Sequence, residues 1–331
     1  MKRYFFFISF ISAELLLILG IIVLGIKIKN LQNGRVKGVQ HVTVIKKENL
    51  IFDKANHNLK YFYEPKPSSV EVWNPEWLGY EVKNTINADS LNERYEYPIQ
   101  KADNTYRIIT LGDSSTFGQN VDTGYNYSEI LEDKLNNTLK CENIKKFEVI
   151  NLGVYGYDIE YEVTRYIKRG VKYKPDLVIW LLNDWNFDKT NEWLLPIKSR
   201  LKNEGIVDFD PKTREYVISG KAKRELFQVL GEEHILNYQK DKLAQMKNYL
   251  SSKLVIFSLT PLKNKYKDIL KDFASSNSYF IIDNLSNILG NSKYTLLDYH
   301  PNKEGHKRIA EDLFDYLRNK FFQECKVSGL K

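Results

Sequence analysis

Hydrophobic positions switch between two periods along most of this chain. Ile108, Ile109 and Leu111 form an apolar run of strand type that stops at Gly112-Asp113-Ser114. Residues 125–140 then carry Ile130, Leu131, Leu135 and Leu139 at helical spacing. Residues 147–151 read as a second strand. Residues 158–171 read as a helix with Val163, Ile167 and Val171 on one face. Residues 175–182 are apolar on both faces, as a central parallel strand should be. After an interruption the rhythm resumes, with a helix at 235–250, a strand at 253–259, a helix at 265–275, a strand at 279–283 and a last helix at 303–320. Asn302 is placed to cap that helix. Five strands with intervening helices predict a doubly wound, mostly parallel sheet with right-handed crossovers.

Two stretches depart from this alternation. Residues 184–230 form an insertion with an expected hairpin over 207–219, placed to act as a lid or substrate wall. Residues 51–106 are irregular or short-stranded and hold Tyr61, Phe62, Tyr63, Trp73, Trp77 and Tyr80, too much aromatic surface for a free linker. They read as a lead-in lying across the main domain. Packing is the commoner use of such aromatics, and binding a sugar is the other.

Residues 4–26 are 23 positions with one ionisable group, Glu14. At about 1.5 Å per residue they reach the roughly 30 Å of a bilayer core. No small-x-small exit follows, so an uncleaved signal-anchor is expected rather than a removed leader. Lys2 and Arg3 precede the span, while Lys27, Lys29, Arg35 and Lys37 follow it, and this charge pattern does not set the orientation. The favoured arrangement is N-terminus inside and domain outside. Glu14 is either a functional intramembrane carboxylate or a neutral one in a small helix assembly. The chain thus divides into an anchor (1–30), a juxtamembrane linker and aromatic lead-in (31–106), and a main α/β domain (107–322) with the 184–230 insertion.

The net charge of +7 raises nucleic acid as a partner, but the lysines are scattered among acids and no recognition motif accompanies them, so none is expected. The two cysteines, Cys141 and Cys325, have no His or second Cys nearby in sequence. That speaks against a metal or a redox pair and leaves a single disulfide open. No cofactor is expected.

A strand that ends in a Gly turn puts the next side chain at the carboxyl edge of the sheet, where open α/β folds carry out their chemistry. Ser114 is therefore a candidate nucleophile. It needs a base, an orienter and oxyanion donors. Of five histidines, His300 is the one closely flanked by a carboxylate and a turn, in Asp298-Tyr299-His300-Pro301. Pro301 disfavours helix at His300, and Asp298 is placed to orient the ring. His306 falls inside the final helix and reads as a packing or surface residue; His234 reads as a cap effect, and His41 and His57 lie in the linker and lead-in. Gly156, after the second strand, can present a backbone N–H, and Asn183, after the third, a side-chain amide. Each of these alone reads first as a turn or a cap. All of them in register after successive strands do not.

Taken together, Gly112-Asp113-Ser114, Asn151-x-Gly-x-x-Gly156, Asn183-Asp184 and Asp298-x-His300-Pro301 resemble the four blocks of the SGNH, or GDSL, hydrolase family over about residues 105–320. The resemblance implies a flavodoxin-like three-layer α/β/α fold and Ser-His-Asp ester chemistry. It also implies an oxyanion hole of Ser114 N–H, Gly156 N–H and Asn183. Leu181 stands where the family usually has Gly. The acid sits two residues before the histidine rather than three, where Leu297 stands, a spacing similar to that of branches resembling polysaccharide O-acetyltransferases. Thr85-Ile-Asn87, Arg94 and the N-terminal span resemble anchored bacterial members.

The expected function is a serine esterase acting on O-acyl esters, acetyl above all, plausibly of cell-surface carbohydrate. An O-acyltransferase using the same site is the alternative. The rivals are a non-catalytic anchored glycan-binding module and a cytoplasm-facing esterase of small metabolites. The expected partners are an acylated small molecule or polysaccharide and, through residues 4–26, the membrane.

Overall fold

The structure, a computed structural model, describes residues 42–44, 50–52, 59–275 and 279–327. The span expected at residues 4–26, its Glu14, His41 and His57 lie outside the described residues. Among the described residues no helix is long and apolar enough to cross a membrane.

The strands in chain order are β1 (Val42–Val44), β2 (Leu50–Phe52), β3 (Tyr63–Pro65), β4 (Ser69–Trp73), β5 (Val82–Ile86), β6 (Thr105–Leu111), β7 (Leu139–Lys140), β8 (Lys146–Asn151), β9 (Leu177–Leu181), β10 (Lys253–Phe257), β11 (Tyr279–Ile282) and β12 (Lys326–Val327). The helices are α1 (Ser114–Phe117), α2 (Tyr127–Thr138), α3 (Ile159–Arg165), α4 (Asp184–Phe187), α5 (Asn191–Asn203), α6 (Val217–Leu230), α7 (Glu232–Met246), α8 (Asn264–Ser275) and α9 (Lys303–Phe321).

The central sheet has five parallel strands in the order β11-β10-β9-β6-β8. That is the flavodoxin-like order, with its topological switch point between β6 and β9. Alternation along the strands fills two layers. Ile108, Val149, Leu177, Ile179 and Val255 face α2 and α9, which supply Leu131, Leu135, Ile309, Leu313 and Leu317. Ile109, Leu111, Ile150, Val178, Trp180 and Ile256 face α3, α7 and α8, which supply Val163, Leu243, Met246, Tyr266, Leu270 and Phe273. Both faces are buried, so the strands read as continuous apolar runs. The expected three-layer α/β architecture is present, and Asn302 caps α9 by accepting from Gly305 N at 2.9 Å.

The lead-in packs onto this core. Strand β4 pairs with β1 and β5 in a separate three-stranded sheet, and β2 pairs with β3. Glu64 is buried against Arg165, Lys168 and Arg169. Asp89 binds Arg169 and Lys172. Burial alone would raise the Glu64 carboxyl, but the three cations outweigh it and hold it well below the usual carboxylate range. Phe62 and Tyr63 pack against Tyr157 and Tyr161.

The hairpin expected over 207–219 does not form. One antiparallel bridge, Asp210 to Glu215, closes a turn, and Val217 already begins α6. The insertion is helical because α5 and α6 bury Leu194, Leu201, Ile218, Ala222 and Leu226 against each other, more apolar surface than a lone hairpin could cover. Cys141 and Cys325 form a disulfide, with Cα atoms 4.4 Å apart, beside the β7–β12 pair.

Candidate active site

The nucleophile position follows from a forced turn. Gly112 has φ +154°, and a side chain there would lie 2.3 Å from Thr116 Oγ1, so the chain can leave β6 and enter α1 only with glycine at that point. Asp113 caps α1 by accepting from Ser115 N at 3.0 Å, and its other oxygen accepts from Trp185 Nε1 at 2.5 Å. Asp113 is thereby committed to structure. Ser114 emerges at the carboxyl edge beside the switch point.

The last loop comes from the other end of the chain. His300 Nε2 lies 2.7 Å from Ser114 Oγ. His300 Nδ1 lies 2.8 Å from Asp298 Oδ2, and His300 N donates to Asp298 Oδ1 at 3.2 Å. The two-residue spacing works because Tyr299 adopts a left-handed conformation, φ +64°, which folds the Asp298 carboxylate back onto the ring as an Asx-type turn. Ser114, His300 and Asp298 thus meet as one hydrogen-bonded relay.

Electrostatics match this arrangement. Burial acts to raise the Asp298 carboxyl, but the His300 charge and hydrogen bonds from His300 and Tyr216 outweigh it and hold it below its ordinary value. Burial acts to lower His300, and the charge and hydrogen bond of Asp298, with the charge of Asp113 beyond, leave it above the ordinary histidine value. His306 has no part in this. It is fully buried in α9, stacks on Tyr127 and accepts from Tyr127 N at 3.2 Å, so desolvation drives its pKa down to about 3. His234 packs on Trp193.

The oxyanion candidates follow β8 and β9, the two strands that flank β6. Asn183 is fully buried just beyond β9; its Oδ1 accepts from Leu259 N at 2.9 Å, while its Nδ2 has no partner among the described residues. The spare N–H is what an oxyanion donor needs, but it is wholly buried in this structure, and Asn183 is not among the residues that line the cavity with Ser114 and Gly156. Gly156, at φ +80°, lines the same cavity as Ser114, with its carbonyl fixed by Lys189 and Asn191, both 3.0 Å away. The loop before it is tied to α1 by Asn151 Nδ2 donating to Thr116 O at 2.8 Å. Asn183→Ala is expected to lower kcat by about 10²–10³-fold in steady-state ester hydrolysis, with KM little changed. It also orphans Leu259 N–H, so a melting curve of the variant should show a loss of about 1–3 kcal/mol.

Three further residues hold this site, and two of them, Tyr216 and Arg214, carry no sequence signal. Asn120, itself in a left-handed turn, donates from Nδ2 to Asp298 Oδ2 at 2.7 Å and accepts on Oδ1 from Trp73 Nε1 at 3.0 Å, which links the lead-in to the acid. Tyr216, from the insertion, donates to Asp298 Oδ2 at 3.1 Å. Arg214 donates to the carbonyls of Leu296 and Leu297 and stacks over Tyr299, gripping the loop from outside. Only Asn120 had a detectable feature, since Asn is among the few side chains that tolerate φ > 0.

Ser114 and His300 open into a cavity of about 1940 Å³ between the lead-in and the insertion. Trp77, Phe209 and Tyr216 are in successive ring contact at 5.2 and 5.0 Å, and the row ends at His300. The described residues hold no cluster of groups able to bind a metal. This arrangement has what acyl transfer through a serine requires: an aligned base, an ionised orienter and an open cavity for the substrate.

No family model matches the chain, and no curated protein matches it in sequence. Among solved structures, that of TesA is 14% identical with a TM-score of 0.41, over 64% of this chain and 98% of that one. The psychrotrophic esterase EstA from Pseudoalteromonas sp. is 15% identical with a TM-score of 0.41, over 66% and 98%. Axe2, an acetylxylan esterase from Geobacillus stearothermophilus, is 16% identical with a TM-score of 0.39, over 66% and 95%. Likeness of this degree does not bear on activity.

Proposed function

We propose that the protein is a serine esterase of the SGNH type that cleaves O-acyl esters, acetyl esters above all, of carbohydrate. The observation that carries this reading is the relay itself, with 2.7 Å from Ser114 Oγ to His300 Nε2 and 2.8 Å from His300 Nδ1 to Asp298. His300 Nε2 takes the Ser114 proton as Oγ bonds to the carbonyl carbon, and the π electrons move to the carbonyl oxygen. Ser114 N–H, Gly156 N–H and Asn183 Nδ2 receive that charge. Collapse breaks the bond to the alkoxy oxygen, which takes the proton from His300 and leaves. Water then gives a proton to His300 as its oxygen bonds to the acyl carbon, and collapse breaks the bond to Ser114 Oγ, which takes that proton back from His300 as the acid leaves. If a sugar hydroxyl replaces water, the same steps make the protein an O-acyltransferase; the cavity's size, large enough for an acceptor beside the acyl group, supports keeping that reading.

We place the domain on the extracytoplasmic side of a membrane, anchored through residues 4–26. The Cys141–Cys325 disulfide supports this side, because such bonds persist in oxidising compartments. The test of function is the full-length protein with p-nitrophenyl acetate, acetylated glycans and added free glycans as acceptors. Release of acetate supports the hydrolase, and acetylated acceptor the transferase. Inertness toward every ester would end the enzymatic reading in favour of a non-catalytic glycan-binding module.

A further inference from the structure

Glu71 lies in the middle of β4 and is 1% exposed, yet it lines the cavity that holds Ser114 and His300. Neither carboxyl oxygen has a hydrogen-bond partner among the described residues, and both are closed to water until the side chain turns toward the cavity. No cation faces it among the ion pairs that hold the lead-in, all of which go to other acids. A buried carboxyl with both oxygens idle costs several kcal/mol by general transfer scales. In folded proteins such a group is completed by ordered water, an ion or a ligand, or has a catalytic or strained role. Trp73, two residues along the strand, points to the same face by the period of two and also lines the cavity. Its indole N–H is held by Asn120, which holds Asp298 in turn, so this wall is fixed relative to the relay.

Resting on the esterase reading above, we propose that Glu71, backed by Trp73, is the recognition point for the polyhydroxylated part of the substrate, taking a pair of neighbouring hydroxyls of a neutral sugar ring. Burial pushes the Glu71 carboxyl up to about 8, so at neutral pH it presents one O–H donor and free acceptor positions. Neighbouring hydroxyls, each both donor and acceptor, satisfy that set. An ammonium group offers donors alone and would leave the carboxyl O–H unmatched. An apolar wall with one polar group of fixed orientation is the usual design of a small-molecule site.

The test compares two esters of similar shape on the full-length protein: mono-acetylated methyl glycosides of the gluco, galacto and manno series, and cyclohexylmethyl acetate, which lacks hydroxyls. In Glu71→Leu the ratio of kcat/KM for the best glycoside ester to that for cyclohexylmethyl acetate should fall by about 10–100-fold, mostly through KM. Glu71→Gln, which keeps a donor and an acceptor, should restore most of it. The melting temperature of Glu71→Leu should hold or rise, because an apolar residue relieves an unpaired buried carboxyl. An unchanged ratio, or loss on both esters together with a lower melting temperature, would overturn the proposal by making Glu71 structural. Binding of the unacetylated methyl glycosides, read by saturation-transfer NMR, needs no turnover. Loss of that signal in Glu71→Leu supports the subsite even if wild-type protein fails on p-nitrophenyl acetate, whereas tighter binding of a glucosammonium than of a glucoside would overturn the neutral-sugar assignment.

Discussion

Ser114→Ala is expected to reduce p-nitrophenyl acetate hydrolysis by about 10⁴–10⁶-fold in kcat, as removal of the nucleophile does where serine and base act as a unit. Among the described residues the side chain's one strong contact is His300 Nε2 at 2.7 Å, so the variant gives up about 1 kcal/mol of hydrogen bonding and should melt near the parent temperature. Activity loss without unfolding is the signature sought. The comparison is one of steady-state rates at saturating ester, with circular dichroism to confirm the fold. A Ser114→Ala protein within tenfold of the parent would mean that acetate is released by some other group.

Asp298→Asn should have the next largest effect, between about 10² and 10⁴-fold in kcat, the upper figure being that of the chymotrypsin-type serine protease change with which the relay is compared. The crowding of donors explains why. Asp298 Oδ1 accepts from His300 N, and Oδ2 accepts from His300 Nδ1, Asn120 Nδ2 and Tyr216 Oη. An amide must turn its NH2 toward one of these sets. Facing the ring, it forces the proton onto Nε2 and removes the base. Facing the backbone, it meets another donor. In both cases the imidazolium loses its counter-charge. The pH dependence follows with a definite sign. In the parent, activity requires neutral His300 and should rise with pH through a midpoint above the ordinary histidine value, since Asp298 outweighs burial. In Asp298→Asn the attraction is gone and burial remains, so the midpoint of kcat/KM against pH should move down. A midpoint that stays in place would show that Asp298 does not act on His300.

Much of this was legible in the chain because the relevant signals were local. The sheet strands are apolar runs bounded by turns, and Gly112, Asn302 and Pro301 each act within a few residues of themselves. The loop at 298–300 was readable for its chemistry but not for its geometry, since nothing in the sequence marks Tyr299 as left-handed. The insertion was misread for a different reason. Pro196 lies inside α5 and Gly220 inside α6, two residues that usually argue against helix, and only the mutual burial of the two helices overrides them. Tyr216 and Arg214 sit in that misread stretch, so their grip on the 296–300 loop could not be foreseen. Glu71 was invisible for a simpler reason: an acid in a strand looks solvent-facing until the fold buries it.

The most direct measurement is labelling of the full-length protein with a fluorophosphonate probe, followed by peptide mapping. The geometry predicts a single adduct on Ser114 in the parent and its near-absence in His300→Ala. A parent protein that resists the probe, or carries the adduct on a different residue, would contradict the relay from which everything else is argued.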